Sequence, residues 1–392
     1  MKNNLICSYA RTPIGAFQGS LSKIPATELG SIVIRSVLEK SSVSKGNVDE
    51  VIMGNVLSAN LGQAPARQAS IGAGLQSNVE CLTINKVCGS GLKSIMLADD
   101  SISLGNADLI IAGGMESMSL APYYLENSRQ GMMFGNNKLI DSILKDGLWD
   151  PYNNFAMGNC GEVLCKENKY SKEAQDAYAI ESYKKSNKAI SLGCFKDEIV
   201  GVSIKSRKEN ILFEIDEEPL KFNEEKLKNL KPAFQKDGTI TAGNASSLSD
   251  GSAAVLLCSQ NKLSDLGLTP IAKIIEHVSF AMNPLYFTRA PIYAINKLLK
   301  KAGLTIDEID LFEINEAFSC VTMAAIDELK IKQEKVNING GAVSMGHPIG
   351  ASGARIVVTL INALKTQNKK YGIACLCIGG GEASAILLEM CN

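Results

Sequence analysis

Two stretches of this chain carry the same succession of apolar and polar positions. Ile32 to Leu38 spaces its apolar residues as an amphipathic helix does, and Val48-Asp49-Glu50-Val51 and Ile52-Met53 follow it. Ile292 to Leu299 repeats the helical spacing, followed by Ile306-Asp307-Glu308-Ile309 and Leu311-Phe312. Each copy then reaches an asparagine, Asn55 and Asn315. Further on, Leu82-Thr83-Ile84-Asn85 and Val336-Asn337-Ile338-Asn339 each lead into a glycine-rich turn and a helix. Both copies close on an apolar strand and a glycine cluster: Leu109 to Gly114 before Glu116-Ser117, and Cys375 to Gly381 before Glu382-Ala383-Ser384. A repeat this long predicts a duplicated supersecondary unit. Strands alternating with helical stretches of about 10 to 15 residues predict an α/β fold, its mixed or mostly parallel sheets covered by helices.

Between the copies the pattern changes. Tyr123-Tyr124, Met132-Met133-Phe134, the single Trp149 and the charged stretch Lys205 to Lys231 read as an inserted lobe. One helix in it is well signalled: Ser171 stands as N-cap, with Glu173 and Asp176 near the positive end and Ala174, Ala177, Tyr178 and Ile180 as its apolar side. Gly251 to Cys258 resumes the core pattern, so the first half collects an element from beyond the insertion. The organisation expected is a first half over 1–118 plus 244–270, an inserted loop domain over 119–243, and a second half over 271–392.

With 392 residues the chain is long enough for such halves to bury full cores. Its formal charge of −1 excludes a bulk polyanion binder, so no nucleic-acid partner is expected. No apolar run approaches the roughly 18 residues of a membrane helix, and no secretory h-region follows Met1, so a cytoplasmic protein without membrane attachment is expected. The eleven cysteines are odd in number and include no CxxC pair, and with only two histidines a zinc site lacks ligands. Most of them therefore read as small buried hydrophobes.

Four segments carry candidate chemistry. In Asn85-Lys86-Val87-Cys88-Gly89-Ser90-Gly91 a strand leads through a cysteine into a helix, so unpaired amides and the helix dipole favour thiolate there and could hold an oxyanion; a cysteine packed in a tight turn is the alternative. His347 sits among five glycines between Gly340 and Gly353, which allow close backbone approach to a ligand, and the repeat brings it toward Cys88 as a base. Cys375 and Cys377 share one strand face by the period of two, and only the cluster Gly379-Gly380-Gly381 favours Cys377. Asn315, in Asn315-Glu316-Ala317-Phe318, is an amide suited to position water or a carbonyl, or equally a helix cap.

Together, NKVCGSGLKS, INEAFS, NGGAVSMGHPIGASGAR and CIGGGEAS resemble the signatures of the thiolase family, in order and along essentially the whole chain. Lesser motifs agree: Arg11-Thr12-Pro13-Ile14-Gly15, Pro65-Ala66-Arg67-Gln68, Ala112 to Met118 and Thr241 to Ser246. The resemblance implies duplicated thiolase-type α/β halves in five layers with an inserted loop domain, and a reversible Claisen exchange between acyl-CoA thioesters. It implies Cys88 as acyl carrier, His347 as its activator, Cys377 as the group that moves the C2 proton, and Asn315 holding a water that forms one oxyanion hole with His347. The amides of Cys88 and Gly379 form the other. Coenzyme A then enters as substrate and product beside Ser246, Met157, Phe234, Phe287 and Phe318, with no prosthetic group. The insertion is most similar to that of acetoacetyl-CoA thiolases of the mitochondrial type, which implies two-carbon acyl transfer, a homotetramer built from dimers, and a potassium ion near Tyr183, Ala242, Gly243, Ala245 and Val343. Ala156 departs from the histidine usual there, and Thr288 after Phe287 departs from a proline, so a broader or 2-methyl-branched 3-ketoacyl-CoA thiolase is the alternative. A decarboxylating ketoacyl synthase uses a cysteine with two histidines, and His277 lies outside any glycine motif. A catalytically silent CoA- or lipid-binding protein is expected to lack a reactive residue, and none is lacking.

Overall fold

The chain is described here from a computed structural model covering residues 4–205 and 210–391; positions 1–3, 206–209 and 392, within the expected halves and the charged stretch, lie outside the described residues. The first half supplies strands β1 (Leu5–Arg11), β2 (Glu50–Gly54), β3 (Glu80–Ile84), β4 (Leu109–Ser117) and, from beyond the insertion, β5 (Ser249–Cys258). The second supplies β6 (Ala272–Ala281), β7 (Leu311–Ile314), β8 (Tyr371–Ile378) and β9 (Glu382–Met390). The helices that matter for the site are α1 (Ala26–Ser41), α2 (Pro65–Gly72), α3 (Ser90–Ser103), α4 (Met157–Asn168), α5 (Lys172–Leu192), α6 (Ala290–Ala302), α7 (Ser319–Leu329) and α8 (Ile349–Thr366).

The strands lie in the order β7-β8-β9-β6-β1-β5-β4-β2-β3. Outward from the middle, β1-β5-β4-β2 and β6-β9-β8-β7 repeat one topology, and a parallel bridge from Phe312 to Val336 stands where β3 stands in the first half. The duplication reaches a local irregularity: β1 is bulged between Ile6 and Ser8 against β5, and β6 between Ile274 and Glu276 against β9. The two halves of this one sheet pair through Leu5↔Lys273 and Ile6↔Ala272.

Strands buried on both faces read as continuous apolar runs, and β4 and β5 are buried throughout. Their alternation builds five layers. Val51, Met53, Leu109, Ile111 and Leu256 pack on α1 and α2. Ile52, Ile110, Val255, Leu376 and Ile386 enclose α3 and α8 in the middle, and Ile373, Cys375, Cys377 and Leu387 face α6 and α7. At the central crossing a Cβ on Gly91 would lie 2.7 Å from the backbone nitrogen of Ala354, and one on Gly353 would strike the backbone of Leu92. Gly91 and Gly353, with Gly350 against β4, let two backbones touch, so two of the five glycines around His347 serve the packing of helix on helix and strand.

Three further expectations change. Met53 faces outward as Ile314 does, whereas Glu313 faces the middle layer, so Asn315 matches Gly54 rather than Asn55; a slip of one residue reverses every face. Ser171 caps α5 by accepting from the Ala174 N–H at 3.2 Å, and Ile180 is buried as expected, but Ala174 and Ala177 are exposed and the buried side also carries Gln175, Asp176 and Ser182. That side is polar because it meets polar partners: Gln175 donates to Thr239, Asn244 donates to Asp176, and Tyr178 and Ser182 donate to the buried Glu316. All eleven cysteines are free, and Cys81, Cys194 and Cys391 are only half-buried. Among the described residues no helix is long and apolar enough to cross a membrane.

Candidate active site

Cys88 sits between β3 and α3, in a turn that side chains hold. Asn85 Oδ1 accepts from the Val87 N–H at 2.9 Å, and Ser90 Oγ accepts from Lys86 N–H while donating to the Val87 carbonyl at 2.7 Å. Val87 adopts a φ of 47°, a left-handed conformation costly for a β-branched residue. Burial pushes the Cys88 thiol up to about 11; the N–H groups of Gly379 and of Cys88 itself oppose it, and the Glu116 carboxylate adds to it. The sequence argument favoured thiolate at this helix start. Burial outweighs the amides, so the resting group is a neutral thiol.

His347 occupies the related turn before α8. Ser352 Oγ stands 3.0 Å from the Pro348 carbonyl and 2.5 Å from His347 Nδ1; donating its proton to that carbonyl, it accepts from the Nδ1–H tautomer of His347. In that tautomer Nε2 carries no proton, and among the described residues it is buried with no partner. Burial, with the Arg355 charge, pushes the ring down to about 3. An unprotonated imidazole thus stands ready as a base. Ser352 was not legible as a site residue, although a serine five positions beyond a histidine at a helix start is the signal that it left.

Asn315 follows β7, fully buried, with neither its Oδ1 nor its Nδ2 partnered among the described residues. Such an amide needs a bound water or ligand. Cys377 is fully buried on β8; burial pushes its thiol up, and Cys88 and Cys375 push it further. Cys375, on the same face, turns its sulfur to the Pro291 carbonyl at 3.8 Å and is raised by burial alone. The period of two left these cysteines equivalent; the neighbourhood of Cys88 separates them.

A cavity of about 350 Å³ opens over Cys88, His347 and Gly379. Ser246, Met157, Phe234, Phe287 and Phe318 line it, as do Ala156, Ala242 and Ala245, whereas Asn315 and Cys377 are not among the lining residues. Phe234 and Phe318 meet edge to face at 5.9 Å, and Gly158 leaves room for the Phe234 ring. Ser246 Oγ donates to the Ala317 carbonyl at 3.0 Å. Met118, Leu144 and Leu148 complete an apolar lining that sequence reasoning missed, because apolar side chains carry no chemical signature. Tyr183 and Val343 lie apart, in a small cluster with Leu227 and Phe222, whose ring stacks on Tyr183 at 4.7 Å.

Glu116 also escaped notice as a separate group. Its buried carboxylate accepts from Asn55 Nδ2 and from the N–H groups of Val56, Leu57 and Gly350, tying the first half to the start of α8. Burial nevertheless raises it to about 7, against the pull of those amides.

Residues 4–261 match the family model described as the thiolase N-terminal domain, and residues 268–390 the thiolase C-terminal domain. The chain is 52% identical to an acetyl-CoA acetyltransferase of Yarrowia lipolytica, over 98% of this chain and 96% of that one. It is 50% identical to acetyl-CoA acetyltransferase 2 of Arabidopsis thaliana, over 98% of this chain and 96% of that one. A thiolase from Ascaris suum, crystallised in complex with coenzyme A, superposes with a TM-score of 0.95 at 43% identity, covering 100% of both chains. The acetyl-CoA acetyltransferase of Bacillus anthracis does so with a TM-score of 0.97 at 40% identity, covering 100% of this chain and 99% of that one.

Proposed function

The chain belongs to the thiolase family, and from that footing we propose that it is an acetyl-CoA C-acetyltransferase, condensing two acetyl-CoA to acetoacetyl-CoA and CoA or running the same steps in reverse. The observation that carries this reading is a buried neutral thiol and a buried unprotonated imidazole on one apolar cavity, with the Gly379 N–H beside the sulfur. Cys88 attacks the thioester carbonyl as its proton passes to His347 Nε2. The bond to the CoA sulfur breaks, that sulfur takes the proton, and the acetyl group remains on Cys88. The amides of Cys88 and Gly379 are suited to the carbonyl oxygen of this intermediate.

Before the second half-reaction Cys377 passes its thiol proton to His347 Nε2, and the thiolate so formed takes the C2 proton of the second acetyl-CoA. The enolate carbon attacks the acetyl carbon, the bond to Cys88 breaks, and the proton held on His347 Nε2 passes to the freed sulfur, leaving both cysteines as thiols. Asn315, through a water, and the His347 Nε2 side are suited to the enolate oxygen. Ser246, Met157, Phe234, Phe287 and Phe318 form the wall that would take the pantetheine arm and acyl group of coenzyme A. Supplying acetoacetyl-CoA and CoA and following loss of the 3-ketothioester absorbance tests the reading; folded protein without turnover would overturn it.

Ala156 on the cavity wall, smaller than the histidine usual in the resembling enzymes, favours a second reading with longer or 2-methyl-branched 3-ketoacyl-CoA substrates. A substrate panel decides between them. The exposed apolar side chains Tyr123, Met132, Met133, Phe134 and Leu139 support assembly of the insertion into a homotetramer, measured by light scattering. The division at 118, 243 and 270 accompanies that reading, and limited proteolysis tests it. Free thiols throughout support a cytoplasmic setting, checked by cell fractionation. Potassium near Tyr183, Ala242, Gly243, Ala245 and Val343 would be held through carbonyl oxygens, since those residues bring no carboxylate; activity in potassium against sodium salts tests it.

A further inference from the structure

The second half carries a buried ion pair that the reaction as written does not use. Arg355 on α8 donates to Glu313 on β7 at 3.1 Å, with the two side chains 3% and 2% exposed; burial pushes the Glu313 carboxyl up to about 8 against the pull of Arg355. Glu313 and Asn315 share one strand face by the period of two, while Phe312 and Ile314 point to the opposite layer. On the helix side, Arg355 lies three residues beyond Ser352, so the two are neighbours on one face of α8. Ser352 is the residue that orients His347 through Nδ1. The ion pair therefore links the strand that leads directly to Asn315 with the helix that carries Ser352, the hydrogen-bond partner of His347. Among the described residues four polar atoms around this link are buried without partners: both amide atoms of Asn315, His347 Nε2 and Arg355 Nε.

We propose that Glu313 and Arg355 are positioning residues, whose ion pair fixes the spacing between Asn315 and His347 and so the oxyanion hole those two residues form. The proposal rests on the thiolase reading above. Neither residue touches substrate. Each acts through a partner, Glu313 along two residues of strand to Asn315 and Arg355 across one helical turn to Ser352 and His347. A displacement of the order of 1 Å between oxyanion donors is enough to slow a reaction about a hundredfold.

Removing one member of a buried pair leaves a stranded charge and threatens folding, whereas replacing both with apolar residues of similar size is commonly tolerated. The test variant is therefore E313M/R355M, with R355K as a milder second form, each compared with N315A and with the triple variant E313M/R355M/N315A. Thermal unfolding of E313M/R355M near the wild-type temperature is expected. Its kcat for thiolysis of acetoacetyl-CoA should fall about tenfold to a hundredfold with KM within about twofold. The triple variant should be slower than N315A by clearly less than E313M/R355M is slower than wild type, because the Asn315 side of the pair's action is already removed while the His347 side remains. R355K should lie between wild type and the double variant.

Wild-type turnover by folded E313M/R355M, or losses that multiply in the triple variant, would overturn the positioning role while slow N315A left the oxyanion reading standing. If E313M/R355M fails to fold, R355K combined with N315A reads the same coupling. Wild-type turnover by N315A would remove the oxyanion reading and this proposal with it.

Discussion

The two halves share strand order, a bulge and a glycine crossing, yet their corresponding turns end on different chemistry. Before α3 the turn delivers a thiol; before α8 it delivers an imidazole. In the first half the polar groups near the turn are largely engaged by structure: Asn55 Nδ2 donates to Glu116 and to the Met115 carbonyl, although its Oδ1 has no partner among the described residues, and Ser90 ties Lys86 to Val87. In the second half the matching framework is left partly unfilled, with His347 Nε2 and both amide atoms of Asn315 unpartnered among the described residues. Duplication provides two equivalent frames, and chemistry resides in the places where they stopped being equivalent.

The strongest way to break this contrast is to remove the thiol. Cys88→Ala should lower turnover by at least about a thousandfold and abolish acetylation of the protein by acetyl-CoA, read by intact-protein mass spectrometry. On the other side, His347→Ala should cost about a hundredfold to ten-thousandfold, with thiol alkylation at Cys88 retained. Ser352→Ala, which frees Nδ1 without touching the ring, is expected to cost about tenfold. An S352A variant as fast as wild type would mean that the ring is oriented by the cavity alone.

The shared part of the comparison can be broken too. Gly353→Ala places a methyl group on the backbone of Leu92 at the α3–α8 crossing and should destabilise by about 1 to 3 kcal/mol in chemical unfolding. Gly91→Ala, its counterpart, should do the same. If one is tolerated and the other is not, the crossing is less symmetric than its backbone.

The smallest expected effect is a difference in pH dependence. Glu116 rises from 4.5 to about 7 on folding, so the folded chain keeps a proton there that the unfolded chain has lost. Its contribution to stability is full below 4.5 and is lost as pH rises through about 7. His347 is lowered from 6.5 to about 3, so stability falls as pH drops between those values. Relative to wild type, the melting temperature of Glu116→Gln should climb between pH 4.5 and 7, and that of His347→Asn should climb as pH falls from 6.5 toward 3. Parallel curves for wild type and both variants would contradict these assignments.

Much of this was legible before any coordinates. The apolar period of each strand and helix announced the repeat, and the cysteine, histidine and asparagine stood in motifs whose chemistry can be named. What escaped notice depends on contact. Alternation alone could not tell that Asn315 matches Gly54, since a slip of one residue leaves the sequence pattern plausible and only the packed faces decide. The inner side of α5 was misjudged because Gln175, Asp176 and Ser182 look solvent-facing until Thr239, Asn244 and Glu316 are placed beside them. That Gly350 and Gly353, two of the five glycines around His347, serve packing was hidden because a sequence does not say which backbone will approach.

The position of β5 has a consequence for synthesis. It fills the gap between β1 and β4, yet it is translated only after the whole insertion. A nascent chain that has emerged as far as residue 248 therefore holds β1 and β4 with open edges facing each other and nothing between them. The first half cannot close while the ribosome is making the lobe, and its sheet is exposed to stray pairing throughout that interval. Closure of the first half awaits the late strand β5, and the lobe that covers the cavity is also what delays the completion of the sheet beneath it.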